Sequence, residues 1–157
     1  MTPRFYQIEP ELISVDDLAM VYVGNDFPVS DPYFHWDRRE IAVCTNSPAG
    51  RGLLSDTTRS RFLCSAEFRA VLQGCAIERI RFLPIQLQSL DGETHYPDWS
   101  ILVVEDECPL VEADLRAIKY DIFREPWSDD VYVSEELKAA IVTSGLKRIK
   151  FSLWNKS

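Results

Sequence analysis

The residues best suited to chemistry stand near position 35, where a histidine is followed by a tryptophan and an aspartate. A carboxylate close to an imidazole can orient it for proton transfer, so His35 with Asp37 is a candidate for general acid–base catalysis. Arg38 and Arg39 follow directly and suit a polar surface loop equally well. A hydrolase that uses His35 is therefore an alternative, and a non-enzymatic protein is the main prediction.

Nucleophilic and phosphate-binding patterns are missing from the sequence. Acyl transfer needs a nucleophile, a base and an orienting acid, and no serine lies in a Gly-x-Ser-x-Gly turn. Ser65 and Ser134 precede helical patterns and are better explained as helix caps. The stretch 49–52 lacks the spacing and the Lys-Ser/Thr ending of a phosphate-binding loop. We expect no catalytic residues and no cofactor.

The cysteines, histidines and paired acids do not form a metal-binding pattern. No Cys-x-x-Cys pair occurs, and the two histidines are far apart in sequence. Paired acids such as Asp129 and Asp130 would hold a divalent cation only if the fold added further oxygen ligands, so an exposed acidic rim is the simpler interpretation. The cysteines are widely and irregularly spaced, which favours buried free thiols over disulfides. They are Cys44, Cys64, Cys75 and Cys108.

Charge is distributed very unevenly along the chain. The net charge is −8, and residues 105–136 alone hold eleven acids and three bases, while the remainder is balanced. Nucleic-acid binding needs a basic footprint, so it is not expected. An acidic field can steer a basic protein partner, although a solvated acidic face would have the same composition.

Aromatic residues accumulate in the same acidic segment. Tyr and Trp are favoured in binding hot spots, and an acidic surround would speed the capture of a basic partner. As an alternative, Phe123 and Trp127 fill the core beside the neighbouring strand. The sequence predicts a partner-binding surface drawn from Glu105, Asp106, Glu107, Tyr120, Trp127, Asp129 and Asp130.

The elements that position these residues are expected to form a single domain over residues 1–157. A chain of 157 residues with 46% hydrophobic residues can bury one substantial core. The N-terminus does not resemble a signal peptide, and no window approaches the roughly 20 apolar residues of a membrane span. We therefore expect a soluble, intracellular protein without a membrane partner.

Two stretches, residues 62–82 and 131–151, align without a gap. Each reads as a strand, a serine cap, a helix with apolar residues at helical spacing, and a second strand. Gly145 is placed to end the second helix by a left-handed cap. Two such units can pack their helices on a shared sheet, although coincidence between two ordinary segments would give the same pattern. The identical pairs are Ser65/Ser134, Glu67/Glu136, Ala70/Ala139, Arg79/Arg148, Ile80/Ile149 and Phe82/Phe151.

The resulting prediction is an α+β or mixed α/β fold with a mixed sheet of about five to seven strands and two to four helices. Pro84 requires an edge position or a bulge in its strand, and Asp91-Gly92 is a hairpin signal leading to the strand at 99–104. Residues 18–23 fit a helix or a strand, and 115–123 fit an amphipathic helix or an irregular strand. Further strands are predicted at 5–8, 40–44 and 77–87.

Several short motifs carry a family resemblance. They are Phe82-Leu83-Pro84-Ile85-Gln86-Leu87 with the Asp-Gly hairpin, Ile122-Phe123-Arg124, Val133-Ser134-Glu135-Glu136-Leu137-Lys138, Gly145-Leu146 and Phe151. Together they resemble the myxobacterial-type immunity domain of bacterial polymorphic toxin systems, over about residues 62–151. Where that family tends to place a second glycine after the leucine, this chain has Lys147-Arg148.

The resemblance implies a cytoplasmic, non-enzymatic protein that binds and blocks a toxin made by the same cell or by its relatives. The acidic segment suits such a role, because many toxins that attack nucleic acids are basic. A structural or regulatory protein with a partner other than a toxin is the remaining alternative.

Overall fold

The computed structural model describes residues 2–10, 19–23, 41–45, 53–55, 62–84, 86–89, 95–111, 113–126, 130–146 and 149–155. His35, Trp127 and Asp129 lie outside these ranges, as does the Asp91-Gly92 turn. The described residues form strands and two α-helices, which confirms the α+β class. Their strands are divided among three four-stranded sheets and do not form one larger mixed sheet.

The bounds of the elements agree with most of the predicted segments. Residues 18–23, for which helix and strand were both open, contain a strand, and 115–123 contain a 3-10 helix at Leu115–Ala117 followed by a strand. The helices are α1, Ala66–Gly74, and α2, Glu135–Thr143. The strands are β1 Phe5–Pro10, β2 Ala19–Val23, β3 Ile41–Thr45, β4 Leu53–Ser55, β5 Phe62–Cys64, β6 Ile80–Pro84, β7 Gln86–Ser89, β8 His95–Tyr96, β9 Ser100–Val104, β10 Ile122–Arg124, β11 Val131–Ser134 and β12 Ile149–Leu153.

Two of the sheets have the same plan. The first unit comprises α1 and the sheet β4-β5-β9-β6, and the second unit comprises α2 and the sheet β10-β11-β1-β12. In each sheet every neighbouring pair is antiparallel, and the strands before and after the helix lie on either side of a central strand. That central strand is β9 in the first unit and β1 in the second. β6 is an edge strand, which accommodates Pro84 as predicted.

The hydrogen-bond registers of the two units correspond residue by residue. Cys64 of β5 lies opposite Ser100 of β9, and Val133, which aligns with Cys64, lies opposite Tyr6 of β1. Applying the same offset to β6 and β12 again matches Ser100 with Tyr6. Strand register is specified by which side chains must face the core. The agreement on both sides of the central strand therefore shows that the two units have the same strand pairing.

The correspondence extends beyond the stretches that align by sequence. Leu53 of β4 pairs with Cys64, and Ile122 of β10 pairs with Val133 at the same offset. Among the described residues, the structural repeat therefore also includes β4 in the first unit and β10 in the second. The additional strands share only an apolar character, LLS against IFR, which is too little for sequence alignment to detect.

The two helices contribute equivalent residues to one hydrophobic core. Phe68 and Leu72 of α1 correspond to Leu137 and Ile141 of α2, and all four are buried in the same cluster. Burying each such side chain contributes roughly 1.5–3 kcal/mol to the stability of the fold. Because the core is shared, unfolding one helix would expose core side chains of the other unit. The central strands reinforce this dependence, since β1 lies against β4 and β9 against β10.

The third sheet, in the order β2-β3-β7-β8, is built from segments between the repeated elements. β2 and β3 lie between β1 and β4 in the chain, while β7 and β8 lie between β6 and β9. β3 pairs with β7 in parallel and with β2 antiparallel. Among the described residues, no helix is both long and apolar enough to cross a membrane.

Candidate functional site

The predicted partner-binding residues begin with Glu105 and Asp106, directly after β9. Both carboxylates are engaged within the chain: Asp106 Oδ1 accepts from Arg79 Nε at 2.6 Å, and Glu105 Oε1 lies 3.2 Å from Arg81 Nε. The hydrogen bond and charge of Asp106 raise the pKa of the Arg79 guanidinium. The side chain of Asp106 is only 13% exposed, so Arg79 shields it from solvent.

Glu107 is paired in the same way, with Arg124 of β10. Arg124 also donates from Nε to the carbonyl of Val104 at 3.1 Å, and its backbone N–H donates to the carbonyl of Asp106 at 2.8 Å. The segment after β9 therefore runs along the outer edge of β10. Residues 105–107 join the first unit, which supplies Arg79 and Arg81, to the second unit, which supplies Arg124.

These ion pairs reduce the net negative charge at residues 105–107. Three consecutive acids face three arginines, two of which come from outside residues 105–136. The pairs are partly exposed and are screened by solvent, so they add little to the stability of the fold. Their principal effect is to cancel the local charge, which leaves the negative field to be supplied by other residues.

Tyr120, the next predicted residue, lies on a ridge formed by residues 118–121. Its side chain is 42% exposed, and its ring contacts Phe123 with 6.4 Å between centroids. Phe123 itself is fully buried, stacked on Tyr132 at 5.7 Å and edge-on to Phe5 at 5.3 Å. Phe123 is thus a core residue, as one interpretation of the sequence held, and it supports Tyr120 from beneath.

Two clefts lie on either side of this ridge. The cleft toward α2, which we call the helix cleft, has a volume of about 230 Å³, and the cleft toward α1, the loop cleft, about 320 Å³. Residues 119–121 line both. The helix cleft is completed by Arg4, Phe5, Ser134, Glu135 and Glu136, and the loop cleft by residues 76–79, Asp106 and Ile122.

The floor of the helix cleft is held by Ser134. Its hydroxyl accepts from the backbone N–H of Leu137 at 3.2 Å, the cap that the sequence predicts, and donates to Asp121 Oδ1 at 2.8 Å. The backbone N–H of Ser134 also donates to the carbonyl of Asp121 at 2.8 Å. Asp121 therefore fixes the ridge to the start of α2. Ser65 caps α1 with the same geometry at 3.2 Å.

Of the predicted residues near β11, the structure describes Asp130. Asp130 is half-buried, and its backbone carbonyl accepts from the N–H of Glu125 at 2.8 Å. Burial, and then the neighbouring charges of Glu125 and Asp130, raise the pKa of Tyr132 to about 12. Tyr132 is buried, and a side-chain hydrogen bond links it to Glu125, which follows β10.

The thiols of Cys64, Cys75 and Cys108 are free. Burial raises the pKa of the Cys64 thiol to about 12 and also raises that of Cys108, so both thiols are poor nucleophiles near neutral pH. Cys75 is exposed at the end of α1, which corrects the expectation that it is buried. The reason is geometric, because the helix ends there and its buried face already holds Phe68 and Leu72.

Of the residues around the clefts, the sequence predicted Tyr120 and Asp106 as partner-binding residues and did not predict the others. Asp121, Glu135 and Glu136 belong to the acidic segment, but only the fold brings them together beside Arg4 from the N-terminus. No protein-family model matches the chain, and no curated protein matches it. In the part of the chain that the structure describes, no cluster of His, Cys, Asp or Glu residues is arranged to hold a metal ion.

Proposed function

We propose that this protein is a non-enzymatic immunity protein that acts in the cytoplasm, binding a cognate bacterial toxin and neutralising it. The observation that carries the proposal is the position of Tyr120, an exposed aromatic residue between two clefts in the acidic part of the chain. The motif resemblance of residues 62–151 to immunity domains supports it independently.

The shape of the surface favours a protein partner over a small substrate. Small-molecule sites are usually single concave pockets of about 300–1,000 Å³ that enclose most of the ligand. Here the helix cleft is smaller than that range and the loop cleft lies at its lower end, and the two flank an aromatic ridge. Side chains of a protein partner can enter the two clefts. Tyr120, which lies between the clefts, can then pack against the surface of the partner, as aromatic anchors do in hot spots.

The charge of the surface favours a basic partner. Each cleft is lined by three acids and two bases, and the chain as a whole carries −8. An acidic field of this kind accelerates the association of a basic protein and weakens as salt is added. We include Tyr120, Trp127, Asp129 and Asp130 in the proposed interface, whereas residues 105–107 have their charge balanced by arginines.

The test is co-expression with the C-terminal domain of any large secreted protein that is found to be encoded beside this gene. We expect that domain to arrest growth when it is expressed alone, and we expect co-expression of this chain to restore growth. Purified proteins should form a complex whose affinity, measured by calorimetry, falls as salt is raised from 50 to about 300 mM. Growth arrest that this chain does not relieve, together with no complex by calorimetry, would refute the proposal.

A further inference from the structure

The arrangement around Tyr120 constrains what the partner presents. Residues 119–121 line both clefts, so a chain that crosses the ridge at Tyr120 contacts both. The ridge is held in place by the hydrogen bonds between Asp121 and Ser134 and by the buried ring of Phe123 beneath it. A partner therefore meets a fixed surface and need not order it, which favours tight association.

The charges are divided evenly between the two clefts. The helix cleft contains Asp121, Glu135 and Glu136 against Arg4 and Lys119, and so has one excess negative charge. The loop cleft contains Glu78, Asp106 and Asp121 against Arg79 and Lys119, and has the same excess. One cationic side chain in each cleft would neutralise it.

We infer that the two clefts receive a basic segment of the toxin that straddles Tyr120, with one lysine or arginine in each cleft. The aromatic face of Tyr120 adds to this preference, because cations are attracted to the face of an aromatic ring. The inference rests on the proposed function and specifies the surface and the chemistry of the contact.

The internal repeat supplies a matched control for testing it. Glu136 and Glu67 hold the same position in the first turns of α2 and α1, and both are exposed. Replacing either by lysine puts the same unfavourable charge at a helix N-terminus, so the effects on stability should be similar. Only Glu136 lines one of the two clefts.

The experiment compares Glu136→Lys, Glu67→Lys and Tyr120→Ala for binding to the toxin domain by calorimetry and stopped-flow mixing. We expect Glu136→Lys to weaken binding about tenfold or more, mainly through a slower association rate and a smaller salt dependence. Tyr120→Ala should weaken binding by a similar factor through faster dissociation. Glu67→Lys should bind within about twofold of the wild type.

Hydrogen–deuterium exchange of the wild-type complex provides a second measurement that needs no variant. Protection on binding should appear at residues 118–121 and 134–136. Equal effects of Glu136→Lys and Glu67→Lys, or protection confined to other segments, would overturn the inference while leaving the immunity function standing. A wild-type chain that does not bind the toxin domain would overturn both.

Discussion

Lys138 places its ammonium nitrogen 3.9 Å from the centroid of the Tyr6 ring. In the first unit the corresponding cation is Arg69, which donates from Nη1 to Ser100 Oγ at 3.2 Å. Tyr6 and Ser100 hold the same register position on the two central strands. Each unit thus fastens its helix to its central strand with a cationic side chain, although the chemistry of the two contacts differs.

The contact between Lys138 and Tyr6 should stabilise the fold through its charge. Lys138→Met keeps an unbranched apolar side chain but removes the cation, and we expect the free energy of unfolding to fall by about 0.5–1 kcal/mol. Lys138→Arg keeps the positive charge and should retain most of the stabilisation that this contact provides. Urea unfolding followed by circular dichroism measures both variants, and a loss of equal size in the two would show that charge is not the cause.

Ser134 both caps α2 and donates a hydrogen bond to Asp121, so its replacement should be costly. Ser65→Ala removes one capping hydrogen bond and should lower stability by about 1 kcal/mol. Ser134→Ala also removes the hydrogen bond to Asp121 and should lower it by about 2 kcal/mol.

A double-mutant cycle isolates the contribution of the hydrogen bond between Ser134 and Asp121. Asp121→Ala combined with Ser134→Ala should show a coupling energy of about 0.5–1.5 kcal/mol, measured by chemical denaturation. The same change combined with Ser65→Ala should be additive. Coupling to both serines would point to a general weakening of the helices.

The residues that end the two helices predict opposite effects of exchanging glycine and alanine. Gly145 has φ of 78° and Ala76, at the equivalent position, has φ of 54°, so both lie in the left-handed region. A Cβ on Gly145 would meet no other atom within 4 Å, which leaves the backbone strain as the only penalty.

Gly145→Ala should therefore destabilise the protein by about 1 kcal/mol, and Ala76→Gly should stabilise it by about 0.5–1 kcal/mol. As a control, Ala70→Gly inside α1 should destabilise it by about 1 kcal/mol. Thermal unfolding of the three variants provides the measurement. An Ala76→Gly variant that is less stable than the wild type would contradict this account of the helix ends.

Stability should decline in alkaline solution because of buried thiol and phenol groups. The pKa of Cys64 rises from 9.0 to about 12 and that of Tyr132 from 10.0 to about 12 on folding, so folding favours the protonated forms. This contribution is complete below about pH 9 and is lost as the pH rises toward 12. Cys108 acts in the same direction.

Cys64→Val tests the thiol contribution, since Val133 already occupies the equivalent position in the second unit. Removing the thiol should leave stability at pH 7 within about 1 kcal/mol and should make the decline between pH 9 and 12 shallower. Tyr132→Phe should instead alter the decline only above about pH 10. Urea midpoints measured at half-unit pH intervals would distinguish them, and an unchanged pH profile for Cys64→Val would refute the assignment.

Local features of the chain were predictable from the sequence because they depend on neighbouring residues. Ser65 and Ser134 cap their helices as predicted, since capping needs only a serine hydroxyl and the next free amides. The two strand–helix–strand stretches were likewise predictable from the spacing of their apolar residues. The edge position of Pro84 was predictable because proline has no backbone N–H to donate to a neighbouring strand.

The pairing of distant segments was decided by tertiary structure. The sequence predicted a strand near residues 5–10. It did not show that this strand lies between β11 and β12, at the position that β9 holds in the first unit. Likewise, the acidity of residues 105–107 was plain, but their arginine partners lie on strands that only folding brings near. Local sequence fixes propensity and capping, whereas long-range register and charge pairing depend on the whole core, and the clefts beside Tyr120 are a product of that core.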